Sequence, residues 1–458
     1  MGQMTPSLIL INPWIYDFAA YDLWSKPLGL LYLAAHLRRC GFSIHLIDCL
    51  DVHHPGMKDA PSFKAPTRRS YGTGKFFSER APRPLPLGGI SRSYSKYGIT
   101  TDIFIEELKQ VRAPAAILVT SLMTYWYPGV VEVIGLAKEH HPNVPIILGG
   151  IYARLCREHA LRFSGADRVA GEISHQNLDH TAKILEDVGV PVPHNPSKNS
   201  SPPYPAFEML RGMDYVCLMT STGCPHRCSY CASHFLYPSI SRRTPLEVLD
   251  ELLYWHKDYG VKDFAFYDDA LLMDAERNIV PLLAELSELG LNIRFHVPNA
   301  LHVRAITPRI AGLLFKSGFR TIRLGLETTD WDLRKELDNK VSEGEFERAV
   351  VELRKAGFSG KDIGAYILMG LPGQSVDSVK ETINFVGDSG AFPYLAEYSP
   401  LPHTPLWEKA VYHSRYDLAS EPLFHNNTLL PCWNDAQLNK LPRLKERTLE
   451  IRRRLRSN

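Results

Sequence analysis

The chain has 458 residues, 45% of them hydrophobic and 22% charged, which is the make-up of an ordinary globular protein with room for two or three domains. Its 52 basic and 50 acidic residues leave a net charge of +2, so the chain as a whole offers no electrostatic argument for a nucleic acid or an anionic membrane as partner. Eight cysteines, five of them scattered (Cys40, Cys49, Cys156, Cys217, Cys432), argue against a disulfide framework and for a reducing, cytoplasmic setting. There is no basic lead-in of a signal peptide before the first apolar run, and no run has the length of a membrane span.

Ser7-Leu-Ile-Leu-Ile-Asn12 is continuously apolar, as expected of a parallel strand buried on both faces. A loop from Pro13 to Pro27 leads to an amphipathic helix over Leu28–Arg39, stopped by Gly41, and a second strand over Ser43–Asp48. The stretch 53–98 breaks the alternation. It is rich in Pro, Gly, Ser and Arg and reads as a long insertion, a functional lid or a disordered segment. Helix and strand then alternate again: helix Asp102–Val111, strand Ala115–Ser121, helix Tyr127–His140, strand Val144–Gly149, helix Glu158–Phe163 and strand Asp167–Glu172. The pattern predicts a doubly wound parallel sheet, Rossmann-like, over residues 1–185, with ligands expected outside the carboxyl ends of the strands. Residues 186–210 hold the clearest linker composition in the chain.

From 211 to 411 the period repeats. Strands are expected at Tyr215–Thr220, Asp263–Tyr267, Ile293–Val297, Thr321–Glu327, Asp362–Gly370 and Tyr394–Glu397, with helices at Pro245–Tyr259, Asn278–Leu289, Thr307–Lys316, Ser342–Ala356 and Ser375–Ser389 between them. This is the pattern of a partial (β/α)6 barrel related to the TIM barrel, whose chemistry would sit at the strands' carboxyl ends. Asp268, Asp269, Asn299, Glu327 and Gly370 fall at those ends. Residues 412–458 form a basic, helical C-terminal extension, read as a solvated amphipathic helix rather than an RNA or membrane patch.

Just after the first strand of the second half comes Cys224-Pro-His-Arg-Cys228-Ser-Tyr-Cys231. The spacing C-x3-C-x2-C places three thiolates where they can face one metal centre. A [4Fe-4S] cluster normally takes four cysteines, so three leave one iron open. Zinc would want a fourth Cys or His at a matching spacing, for which His226 and His234 are the near candidates. The motif closely resembles that of the radical S-adenosylmethionine enzymes. In that family the open iron is chelated by S-adenosyl-L-methionine, which an electron from the cluster cleaves to a 5′-deoxyadenosyl radical. The resemblance implies that Cys224, Cys228 and Cys231 ligate the cluster and that Tyr230 contacts the adenine. It implies further that Asp268 and Asp269 bind the amino group, although the family pattern there contains Gly-Glu. Glu327, with Arg323 facing the same cavity, would bind the ribose or methionine part, and Gly370 would let the adenine pack close. Met369-Gly-Leu-Pro-Gly-Gln374 and Ser399–Leu406 are similar to the Elongator-type subgroup, shared with methylthiotransferases and anaerobic porphyrin-pathway enzymes.

In the first half, Thr120 and Ser121, Gly149 and Gly150, and Gly171 and Glu172 resemble the positions of cobalamin-binding domains that cradle the nucleotide tail of the corrin. Small residues there let backbone approach a bulky ligand. A Rossmann domain that binds nothing is the bland alternative. Asp51-Val-His53-His-Pro-Gly56 spells D-x-H-x-x-G, the motif whose histidine ligates cobalt in one cobalamin class, but it follows the second strand instead of the first. A cobalt without a histidine ligand stays open.

The resemblances imply a cobalamin-dependent radical enzyme, with methylation of an unactivated carbon as the commonest outcome. Such an enzyme acts on a small-molecule or peptide substrate and draws electrons from a flavodoxin or ferredoxin. Two alternatives stand beside it: sulfur insertion, which usually needs a second cluster on N-terminal cysteines, and a non-enzymatic cluster or cobalamin sensor.

Overall fold

The computed structural model describes residues 5–60, 64–171, 178–194 and 202–457. The chain divides into two compact units, Met1–Met213 with Ser420–Leu423, and Asp214–Ala419 with Phe424–Asn458.

In the first unit the elements are β1 (Ser7–Asn12), α1 (Leu28–Arg39), β2 (Ser43–Asp48), α2 (Thr101–Lys109), β3 (Ala116–Val119), α3 (Tyr127–His140), β4 (Ile146–Leu148), α4 (Ile151–Leu155), α5 (Arg157–Phe163), β5 (Arg168–Val169) and α6 (Leu178–Asp187). The strands pair in parallel in the order β5-β4-β3-β1-β2. Alternation along β1 sends Ile9 and Ile11 into one core with Ile103, Phe104, Val130 and Val133, and Leu8 and Leu10 into another with Leu30, Leu33, Ala34 and Leu37. Helices cover both faces, which is why the four residues between Ser7 and Asn12 are all apolar. The chain leaves β1 for β2 on one side and then crosses to β3 on the other, so the order reverses between β1 and β3.

The insertion is neither a loose lid nor structureless. Its short strands Ser78–Arg80 and Ser95–Tyr97 join Ile15–Asp17 in a three-stranded antiparallel sheet, and Gly74–Lys75 pairs with Tyr21–Asp22. Trp14 explains the attachment: its indole donates to the Ile99 carbonyl at 2.7 Å, and the Lys96 ammonium lies 3.5 Å from its ring centroid. The linker expectation also needs correcting. Residues 195–201 lie outside the described residues, but Val190 and Ala206 on either side are buried in the core with Leu30 and Leu33, so most of this segment belongs to the first unit.

The second unit contains β6 (Val216–Leu218), α7 (Pro245–Tyr259), β7 (Asp263–Phe266), α8 (Ile279–Leu289), β8 (Arg294–His296), α9 (Pro308–Lys316), β9 (Phe319–Glu327), α10 (Trp331–Leu337), α11 (Glu345–Ala356), β10 (Ile363–Met369), α12 (Val376–Asp388), β11 (Phe392–Glu397), α13 (Trp407–His413) and, near the C-terminus, α14 (Leu441–Ser457). The six strands pair in parallel in consecutive order, β6 to β11. Local signals set the helix ends. Thr244 and Glu247 form a capping box around Pro245, and Gly260 closes α7 in the left-handed conformation. Helix α14 is amphipathic as expected, with Leu444, Thr448 and Ile451 buried. Its basic residues are not simply solvated, however. Arg447 donates to Asn384, Arg452 to the Pro393 carbonyl, and Arg454 pairs with Asp388, so the helix docks beside α12 and β11.

Candidate functional site

The cysteine loop follows β6 and is held from three sides. Asp268, just after β7, is 2% exposed and accepts from the backbone amides of Thr220 and Ser221 and from both their hydroxyls, at 2.6–3.1 Å. The Ser229 amide donates to the Leu337 carbonyl at 2.7 Å, and the Leu406 amide donates to the Ser229 carbonyl at 2.9 Å. Gly223 turns at φ +80, where an added Cβ would stand 2.7 Å from the Ser239 carbonyl oxygen. Cys228 is buried, and Cys224 and Cys231 are partly exposed. Burial pushes all three thiols up, Cys231 to about 11, while the Lys340 charge works in the opposite direction on Cys224 and Cys228. Among the described residues no three His, Cys, Asp or Glu side chains converge so as to hold a single metal ion. A cluster asks for something else, one thiolate on each of several irons, and three free cysteines on one pinned loop beside a cation fit that donor set.

Beside the loop, Tyr230 and Glu327, both expected from the sequence, meet three charged residues that the sequence did not single out, Arg334, Asp338 and Lys340. Tyr230 donates to Asp338 at 3.3 Å and accepts from Lys340 at 3.1 Å. Lys340 Nζ is 3.6 Å from Glu327 and 3.5 Å from Asp338, and Arg334 pairs with Asp338 at 2.9 Å. All are largely buried. Burial alone would weaken the lysine's charge, but Glu327, Cys228 and Asp338 hold its pKa above the usual lysine range. Glu327 sits in the left-handed region at φ 63, rare for a non-glycine residue and a mark of a constrained position. Lys340 and Asp338 lie in a polar turn between two helices, where no spacing rule marks them.

Other expected ligand residues have internal partners. Asp268 is spent on Thr220 and Ser221, so it shapes the loop instead of offering a free carboxylate. Asp269 accepts from the Ser233 hydroxyl. Arg323 donates to the Ile322 carbonyl and to the Tyr394 hydroxyl. Gly370 turns at φ +92, and an added Cβ would meet Leu430 at 2.6 Å, so Leu430 stands over the position expected for adenine.

In the first unit a small recess of about 10 Å³ is lined by Asn12, Trp14, Leu50, Ser121, Met123 and Trp126 among others. These residues follow β1, β2 and β3, so the recess lies where the strand order reverses, the usual ligand position in such sheets. Ser121 donates to the Gly149 carbonyl at 2.6 Å, and Thr120 donates its amide to Ile11. Gly150, at φ +89, brings its backbone so close that an added Cβ would stand 2.3 Å from the Ser121 carbonyl oxygen. An added Cβ on Gly171 would meet Arg154 at 2.6 Å. These small residues therefore let the loops meet one another beside the recess, which Ser121 lines. Glu172 lies outside the described residues. His53 is not in the recess; an added Cβ on Gly212 would stand 2.3 Å from its ring.

Comparison with known proteins bears on both sites. Residues 218–386 match the Radical SAM superfamily. Residues 88–176 match the B12 binding domain, a range that holds Ser121, Gly149, Gly150 and Gly171 but not His53. Curated relatives include the cytidylyl-2-hydroxyethylphosphonate methyltransferase of Streptomyces wedmorensis, 21% identical over 84% of this chain and 77% of that protein. An uncharacterized methyltransferase of Pyrococcus horikoshii is 24% identical over 60% of this chain, which spans 65% of its length. Among solved structures, the radical S-adenosylmethionine methyltransferase TsrM of Kitasatospora setae, solved with cobalamin and a [4Fe-4S] cluster bound, aligns with a TM-score of 0.62. It is 16% identical over 89% of this chain and 79% of that one, a likeness of fold. The matches bear out the radical S-adenosylmethionine and cobalamin-binding resemblances read from the sequence, but not the Elongator-type subgroup, and assign a [4Fe-4S] cluster, S-adenosylmethionine and cobalamin as cofactors.

Proposed function

We propose that the protein is a cobalamin-dependent radical S-adenosylmethionine methyltransferase acting on an unactivated carbon of a small molecule or peptide. The observation that carries this reading is the pinned three-cysteine loop beside Lys340 in one unit, with the recess at the strand-order reversal in the other. Within it, the consecutive sheet β6–β11 is a partial (β/α)6 barrel, and the motifs after Met369 and Ser399 belong to its Elongator-type features.

When bound, the cluster supplies an electron to S-adenosylmethionine, and cobalamin supplies the methyl group. The chain's own residues bind, orient and exclude water. Cys224, Cys228 and Cys231 hold the irons, and Asp268 sets the loop that carries them. Lys340 balances the negative charge of Glu327 and Asp338 beside the cysteine loop and would offer a cation to the carboxylate of a bound S-adenosylmethionine. Tyr230 supplies an aromatic wall. Ser121, Gly149 and Gly150 would frame the tail of a bound cobalamin. A flavodoxin or ferredoxin in a reducing cytoplasm would deliver the electron; among the described residues no helix is long and apolar enough to cross a membrane.

Anaerobic reconstitution with iron, sulfide and hydroxocobalamin tests the reading, with an optical spectrum and an assay for 5′-deoxyadenosine. A cluster, bound cobalamin and deoxyadenosine are expected together. A cluster and deoxyadenosine without bound cobalamin would remove the methyltransferase assignment. About eight irons per chain, two four-iron clusters, would instead favour sulfur insertion.

A further inference from the structure

In β9 to β11, Arg323 aligns with Gly364, and Gly325 aligns with Tyr366 and through it with Tyr394. Parallel partners share a face, so Arg323, Tyr366 and Tyr394 lie on the same side of the sheet. The Glu327 carboxylate hangs over that side too, since an added Cβ on Gly325 would stand 3.1 Å from its Oε1. Arg323 is thus two residues, about 7 Å along the strand, from the position over which Glu327 stands.

Two guanidiniums meet at Tyr394. Arg323 lies 4.2 Å from the ring centroid and Arg452, from α14, lies 3.9 Å from it. Arg323 donates to the Ile322 carbonyl and the Tyr394 hydroxyl and also reaches the Tyr366 hydroxyl, and Arg452 donates twice to the Pro393 carbonyl. Neither guanidinium is exhausted by these bonds. Elsewhere in this unit arginines meet carboxylates: Arg243 with Glu251, Arg294 with Asp263, Arg304 with Glu345 and Arg334 with Asp338. Among the described residues no carboxylate pairs with Arg323 or Arg452. Both are half-buried, and Arg456 adds a third cation 5.7 Å from the neighbouring Phe392 ring. Burial and the neighbouring charges press against the cationic form of Arg452, yet arginine keeps its proton in proteins. Two cations held together at an aromatic ring, without a counter-charge and with donors to spare, are a site for an anion. The planar fork of arginine suits an oxyanion in particular.

We propose that Arg323 and Arg452 form a subsite for an anionic oxyacid group of the substrate, a phosphate, phosphonate or carboxylate, on the sheet face that carries Glu327. That the anion belongs to a substrate rests on the radical-enzyme reading; that an anion binds does not. The substrate would carry its charge at one end and its reacting carbon toward the Glu327 end.

The test uses the full chain before any cofactor loading. Inorganic phosphate, methylphosphonate and glycerol phosphate are titrated by ³¹P line broadening and by thermal shift, at ionic strength matched with chloride. All three are expected to bind, with affinity lost at least tenfold in Arg323→Met and in Arg452→Met and unchanged in Arg454→Met, whose side chain already pairs with Asp388. Arg323→Lys and Arg452→Lys, which keep the charge and lose the fork, serve if a methionine variant does not fold, with a several-fold loss expected. No binding by the wild-type chain, or binding unchanged in the Arg323 and Arg452 variants, overturns the proposal. Binding of inorganic phosphate with rejection of glycerol phosphate would mark a site for the free ion and overturn the substrate assignment. Because none of these readouts needs cluster or cobalamin, failure here is distinct from failure of the methyltransferase reading.

Discussion

The Lys340 ammonium stands 3.1 Å from the hydroxyl of Tyr230, although 110 residues separate them in the chain. Tyr230 precedes Cys231, so this bond, together with the one from Tyr230 to Asp338, ties the cysteine loop to the buried carboxylates Glu327 and Asp338. Lys340→Met should leave those carboxylates under-compensated and destabilise the second unit by about 3–5 kcal/mol, read by urea unfolding. It should also remove a positive charge from beside the thiolates. The midpoint potential of the reconstituted cluster is then expected to fall by tens of millivolts, measured by redox titration with electron paramagnetic resonance. A potential equal to that of the wild type would show that the lysine's charge does not reach the cluster.

Asp268 is expected to act on the cluster only through the loop. Asp268→Ala leaves the buried amides of Thr220 and Ser221 without their acceptor, at a cost of about 1–3 kcal/mol for each buried group. Reconstituted protein should then carry less than half the wild-type iron. Asp268→Asn, which keeps one acceptor oxygen, should lie between the two. Iron and sulfide analysis checks both.

Each of Cys224→Ala, Cys228→Ala and Cys231→Ala should abolish the cluster absorbance and deoxyadenosine formation. Cys217→Ala, a buried strand position with no role in the motif, should leave the cluster absorbance in place. Loss of absorbance in Cys217→Ala, with folding intact by circular dichroism, would contradict the ligand assignment.

Gly150→Ala forces a Cβ against the Ser121 carbonyl at a backbone angle that favours glycine. The loops framing the recess should shift, and hydroxocobalamin affinity should drop at least tenfold while the iron content stays at the wild-type level. His53→Ala should change cobalamin binding little, read from the optical spectrum of the bound cofactor.

Burial lowers the pKa of His36 to about 4, with Arg39 adding to the effect. The folded value lies below the ordinary 6.5, so the unfolded chain takes up the proton first as pH falls. The contribution of His36 to stability is therefore complete above about pH 6.5 and is lost as pH falls toward 4. It amounts to about 3 kcal/mol over that window. His36→Phe should flatten the pH dependence of urea unfolding between those limits.

Much of this protein was legible in one dimension. Helix α1 and the strands Ser7–Asn12 and Ser43–Asp48 fall at the residues where hydrophobic period and the stop at Gly41 put them, because strand and helix periodicity, caps and turns act over a few residues. The three cysteines and their spacing are likewise local. Other features needed the tertiary structure. Lys340, Asp338 and Arg334 are unremarkable in sequence and become part of a site only when a distant turn folds back over Tyr230. Asp268 could be placed at a strand end but not partnered, since its donors come from another strand, 47 and 48 residues away. The insertion lacked a readable period because its strands are two or three residues long and pair with the segment after β1. Arg452 read as one of several solvated charges until α14 set it against Tyr394. Sequence alone determined the elements and the cysteine loop, because both are written in short-range spacing. Only the tertiary structure decided which charges meet which, because burial and pairing depend on contacts between residues far apart in the chain.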